Sequence, residues 1–282
     1  MALLVIAIVL ALVGGVGLVA GAADDNSNDV KSAGATTTST TEASSDTTAP
    51  LVTVSVPSTG VTTTTAKTTA TTKATTATTA ASTGPCAHSS ASTDPGAQKA
   101  PANGSYTYAV CGSGDDADTF KVSAGPDANR RILTISTQQG TQNETRNFAA
   151  GVVREKFVTS GGGATVNCDW NPDIVQYPAQ LAVGTKWKVD SSCEDKNLNV
   201  KIHVTGSGEV TERVSMVIGG TAVTAWSVAS DVTIAVTGFV NQTVHSVGTT
   251  FYEPTRGLEV YDKSTVNGQT VEKVLKSLSP KS

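Results

Sequence analysis

Residues 224–236 constrain this chain most, because Trp226, Val228, Val232, Ile234 and Val236 fall at alternate positions, with Thr, Ala and Asp among the residues between them. A period of two sends successive side chains to opposite faces of an extended backbone. The segment therefore predicts a long β-strand with one buried face, interrupted on that face only by Ser230. Val200, Ile202 and Val204 repeat the pattern, as do Val210, Val214, Met216 and Ile218, with Glu212 as the exception. Gly206-Ser207-Gly208 and Gly219-Gly220 read as hairpin turns, and Asn267-Gly268 is the strongest short hairpin signal in the chain. Val271, Val274, Leu275 and Leu278 have helical spacing, but they directly follow that Asn-Gly turn and are assigned to a strand. Evenly spaced hairpins without alternating helices predict a mainly β domain over residues 101–282. The expected form is an antiparallel meander, hence a sandwich, barrel or half-barrel, with a half-barrel or sandwich preferred.

The rest of the chain has a different character. Residues 1–23 carry no charged side chain, and as a helix would span about 33 Å, enough for a hydrocarbon core of about 30 Å. They read as a transmembrane anchor. The alternative is a signal peptide, since Ala20-Gly21-Ala22 fits a small-residue cleavage pattern and cleavage near Ala22 would give a secreted protein. Residues 24–100 are rich in Thr, Ser and Ala, a composition that cannot bury enough apolar surface to offset chain entropy. They are expected to form a disordered, O-glycosylated stalk of roughly 50 Å r.m.s. span before glycosylation. The expected location is the cell membrane, with stalk and β-domain extracytoplasmic.

Cys86, Cys111, Cys168 and Cys193 are the four cysteines, and no two have CxxC spacing. Behind an export segment they predict disulfides rather than a zinc site. The expected pairs are Cys168 with Cys193 and Cys86 with Cys111. The first would close a segment whose Pro172 and Pro178 cannot join a central ladder. The second would clamp the end of the stalk onto the first strand.

A formal charge of −4 and scattered Lys and Arg give no reason to expect nucleic acid as a partner. His88 falls in the stalk, while His203 and His245 fall on polar strand faces, and no carboxylate stands at ligand spacing. Residues 159–164 are Gly-rich but lack a phosphate-binding Lys, and Asp115, Asp116 and Asp118 read as a polar turn before they read as calcium ligands. No nucleophile–base motif is present, so no catalytic, cofactor or metal residue is assigned and the chain is not expected to be an enzyme. Trp170, Trp187 and Trp226 are the candidates for lining a cavity, though core packing is the commoner role for such residues.

One stretch carries a family resemblance. Cys168-Asp169-Trp170-Asn171-Pro172 is followed by Tyr177-Pro178 and Val183-Gly184-Thr185-Lys186-Trp187, then by Cys193. Phe251-Tyr252-Glu253-Pro254-Thr255-Arg256-Gly257-Leu258 lies downstream. Over residues 101–278 this resembles exported β-domains common in actinobacteria, similar in outline to lipoprotein-carrier-like half-barrels. The resemblance implies an antiparallel sheet curled around an apolar face and a place in the cell envelope, but no activity. The functional expectation is a membrane-tethered binding or carrier module for a lipid, another amphiphile or a cell-wall ligand. The alternative is a structural or adhesive protein that displays a rigid β-head.

Overall fold

A computed structural model describes residues 84–137, 140–161, 164–238 and 241–281. The apolar N-terminal segment and the stalk as far as residue 83 lie outside these residues. The described chain is mainly β, and all its ladders are antiparallel. The strands are β1 (His88–Ser90), β2 (Gly104–Val110), β3 (Asp116–Ala124), β4 (Arg130–Thr137), β5 (Gly140–Asn147), β6 (Gly151–Gly161) and β7 (Ala164–Pro178). They continue with β8 (Lys186–Asp195), β9 (Val200–Ile218), β10 (Thr221–Gly238), β11 (Gln242–Glu253), β12 (Leu258–Val266) and β13 (Gln269–Leu275).

From β2 onward each strand pairs with the next, and β13 pairs back onto β2 through Lys273↔Val110, Val274↔Ala109 and Leu275↔Tyr108. The result is a closed barrel of twelve strands. The antiparallel meander is as expected, but the half-barrel or sandwich is corrected: the sheet curls until its two ends meet. Closure satisfies the ladder groups that an open sheet would leave at both edges.

Turn chemistry fixes two of the expected hairpins. Asn267 and Gly268 have φ of 50° and 80°, and Gly219 and Gly220 have φ of 54° and 82°. Both pairs meet the demand of a two-residue turn for positive φ at each central position. The Gly206-Ser207-Gly208 turn is overturned, because β9 runs unbroken through it. Gly208 is there for close approach instead: a Cβ on it would lie 2.2 Å from the Trp187 ring. The Glu212 exception is a β-bulge. Ser227 pairs with Glu212 and Val228 with Val210, leaving Thr211 as the extra residue. Across that bulge the buried face of β10 changes phase, from Val223 and Ala225 to Val228, Ile234 and Val236.

The folded unit also begins earlier than Pro101. β1 pairs with β9 through His88↔Met216 and Ser90↔Val214, and the His88 ring lies 4.7 Å from that of Phe251. The next segment straps one end of the barrel. Ala91 N donates to Arg213 O on β9, Gln98 Nε2 to Pro178 O at the end of β7, and Lys99 N to Pro254 O just past β11. Arg131 Nε at the start of β4 donates to Pro101 O. Residues 84–100 lack the Thr runs upstream of them, and the Cys86–Cys111 disulfide ties them down, so they belong to the head.

Among the described residues, buried apolar side chains fall into three clusters. One lies beneath the strap, with Tyr177, Trp226 and Tyr252 among its members and Ala100 packed against it. A second surrounds the buried Cys168–Cys193 disulfide, with Phe157, Trp170, Ile202 and Ile234. Each such side chain, fully buried, contributes about 1.5–3 kcal/mol.

Candidate functional site

Among the described residues the ladder is shortest between β7 and β8. β7 and β8 share a single register pair, Asn171↔Ser192, while β8 and β9 are in continuous register from Lys186↔Glu209 to Asp195↔Val200. Pro172 has no N–H to give a ladder; its carbonyl instead accepts a bond from Ser191 Oγ. Beyond this point residues 174–178 of β7 and 186–189 of β8 have no ladder between them, and a cavity of about 140 Å³ lies there.

The cavity exists because one cross-strand row has almost no side chains. Gly208 pairs with Ser230, Ser230 with Gly248, and Gly248 with Ser264, so four adjacent strands present only glycine and serine at one level. All four residues line the cavity, and Trp187, lying on Gly208, lines it too. On the neighbouring row Val228 pairs with Thr250 and Thr250 with Asp262. A period-two strand places one residue per level on each face, so small residues aligned in register leave a shelf in the wall.

Charge meets this shelf from the other side of the barrel. Gln142, Glu144 and Arg146 alternate on β5 and are buried. Glu144 accepts from Arg146 at 2.7 Å and from Arg154 of β6 at 3.4 Å. Arg146 reaches across to Glu259 of β12 at 3.7 Å, and Tyr177 Oη donates to the same carboxylate at 3.1 Å. Gln176 Nε2 also bonds Glu259, and Arg154 Nε donates to Gln176 Oε1 at 3.0 Å. Arg154, Gln176, Tyr177 and Glu259 all border the cavity. Burial alone would raise the Glu144 pKa, but the attraction of Arg154 and Arg146 outweighs it and holds the carboxyl below its ordinary value. Burial pushes the phenol of Tyr177 well above its ordinary value, and the nearby Glu259 adds to the rise.

A second buried group adjoins the first. Lys273, 1% exposed, bonds Asp118 at 2.9 Å and lies 3.8 Å from Asp262. Thr250 Oγ1 and Ser264 Oγ donate to Asp262. Burial and the negative charge of Glu259 push the Asp262 carboxyl from 3.8 to about 6, against the pull of Lys273. The folded pKa lies above the unfolded one, so the unfolded chain binds fewer protons between these values and stability falls as pH rises through them. Asp262→Asn should match wild type near pH 4 and exceed it above about pH 7, by at most about 3 kcal/mol at about 1.4 kcal/mol per unit. Urea denaturation across that range checks this, and equal stabilisation at both ends would show that ionisation is not the cause.

The sequence-derived candidates separate. Trp187 lines the cavity; Trp170 packs 6.4 Å from Phe157 in the disulfide cluster. Trp226 lies beneath the strap, with the Arg213 guanidinium 5.7 Å from its ring centre. His203 and His245 are exposed and each meets one carboxylate, Asp190 at 2.9 Å and Asp231 at 2.8 Å. Asp116 pairs with Lys276 and Asp118 with Lys273, so they serve separate ion pairs. The one metal-like group among the described residues, Cys86, Cys111 and Glu272, has its two sulfurs joined in a disulfide. Sequence reasoning missed the small-residue row and the polar set of β5.

Comparison of the chain with family models, curated proteins and solved structures finds no match.

Proposed function

We propose that this chain is a membrane-tethered extracytoplasmic binding module of the cell envelope, and that its barrel takes a small solute, or the polar end of an amphiphile, into the cavity behind the β7–β8 seam. The observation that carries this reading is the in-register row of Gly208, Ser230, Gly248 and Ser264, which keeps a shelf open in the barrel. At about 140 Å³ the space is close to an engineered cavity of about 150 Å³ that admits benzene, and below the roughly 300–1,000 Å³ of drug-sized pockets. A ligand the size of one six-membered ring fits it. A lipid would enter only by its polar end, which narrows the carrier reading. The reading is of binding rather than catalysis, with residues 1–23 supplying the tether.

A second reading, a structural or adhesive head without a small-molecule ligand, draws support from the strap and the two disulfides that brace the barrel. Native mass spectrometry of the full-length protein from its own cells separates the two. The expected result is a retained small mass in wild type that is lost in Ser246→Leu, which fills the cavity beside Gly248. Wild-type protein that carries no added mass, in cells and in culture medium alike, would favour the structural head.

A further inference from the structure

We infer that the ligand of this cavity is a small organic cation, because its wall holds two carboxylates, Glu259 and Asp262, whose cations lie closer to other acids, together with an indole. This rests on the reading of the barrel as a binding module.

The buried charges around the cavity are unevenly matched. Glu144 engages both Arg146 and Arg154. Glu259 takes the far side of Arg146, with Tyr177 and Gln176 as neutral donors. Lys273 sits against Asp118 and stands farther from Asp262. Four carboxylates thus share three cations, and Glu259 and Asp262 are the two whose charged partners, at 3.7 and 3.8 Å, lie closer to another acid. The other donors to Asp262, Thr250 and Ser264, are neutral hydroxyls. A buried charge without full compensation is costly, and that cost falls when a ligand brings the missing charge.

The cavity has the chemistry for such a ligand. Asp262 and Glu259 both line it, as do the serines of the small-residue row and the Trp187 indole. An ammonium group in this space has both carboxylates and an aromatic ring in its lining, groups that attract organic ammonium ions. Arg154 borders the same space, but it is committed to Glu144 and Gln176, so it opposes a cation less than a free guanidinium would. An anionic ligand would face two carboxylates against that one engaged cation.

Protonation of Asp262 should compete with the ligand. The groups that face it are Lys273 of β13, Tyr108 of β2 and Glu259 of its own strand, with Asp118 of β3 behind Lys273. Lys273 favours the ionised form; Glu259 opposes it.

Calorimetric titration of the full-length protein tests this with three probes of similar shape: choline, the neutral 3,3-dimethylbutan-1-ol, and 3,3-dimethylbutanoate. Choline is expected to bind about tenfold or more tighter than the alcohol at about pH 7.5, and the ratio should shrink at about pH 5. Asp262→Asn should bring the ratio of choline to alcohol affinity close to one, with thermal unfolding confirming that the variant is folded. If the alcohol equals choline, or the carboxylate binds tightest, the cation inference falls and the binding module stands. If none of the three binds, the cation inference falls as well, and retention of a native mass then decides the binding module independently.

Discussion

Replacing Arg146 with methionine is expected to destabilise the barrel by about 3–5 kcal/mol, the usual cost of removing one partner from a buried ionic network. Arg146 is 5% exposed and is the link between Glu144 on β5 and Glu259 on β12. Without it Glu144 keeps only Arg154 at 3.4 Å among its cations, and Glu259 keeps only neutral donors. Methionine preserves much of the volume, so the loss reports charge more than packing. The double variant Glu144→Gln with Arg146→Met should recover part of the deficit, because it removes a stranded carboxylate. Guanidinium denaturation of the three proteins measures this. An Arg146→Met loss below about 1 kcal/mol would mean that water or a rearranged Arg154 already compensates Glu144, and that the network is not a structural strut.

What the sequence showed and what it hid both follow from period-two patterning. Apolar alternation in β9 and β10 was legible because valine and isoleucine at every second position match a half-buried strand and break the spacing of a helix. Asn267-Gly268 was legible because only a narrow set of residues tolerates positive φ twice in succession. Gly206 and Gly208 misled, because glycine serves tight turns and close approach equally well, and only the fold shows Trp187 lying on Gly208. Barrel closure was hidden for a related reason: the β13–β2 ladder joins residues more than 160 positions apart and leaves no local trace. The site was hidden because β5 has no apolar face to find. Its buried positions are Gln142, Glu144 and Arg146, which alternate with Asn143 and Thr145. That is the same two-residue period written in polar residues, and two opposite charges at i and i+2 were the signal available. The small-residue row could not be read at all, since Gly208, Ser230, Gly248 and Ser264 become neighbours only once four strands are in register.

The two disulfides span the same number of residues, yet their removal is expected to have different consequences. Each pair is separated by 25 positions, so the chain-entropy term is the same, about 3 kcal/mol. Cys168 and Cys193 are 0% and 4% exposed and sit within a core cluster, so replacing both with alanine also forfeits packing. They also join the two strands that share one ladder pair, and so substitute covalently for the hydrogen bonds missing from the β7–β8 seam. Cys168→Ala with Cys193→Ala should therefore lower global stability by about 3–5 kcal/mol and speed amide exchange along β7 and β8. Cys86 and Cys111 are only half-buried, and they hold β1 and the strap onto a barrel that is closed without them. Their replacement should release residues 84–103 to exchange while the twelve-strand ladder stays protected. Hydrogen exchange read by mass spectrometry distinguishes these patterns. Matching exchange profiles for the two double variants would show that the seam is held by side-chain packing, and that the buried disulfide is one brace among several.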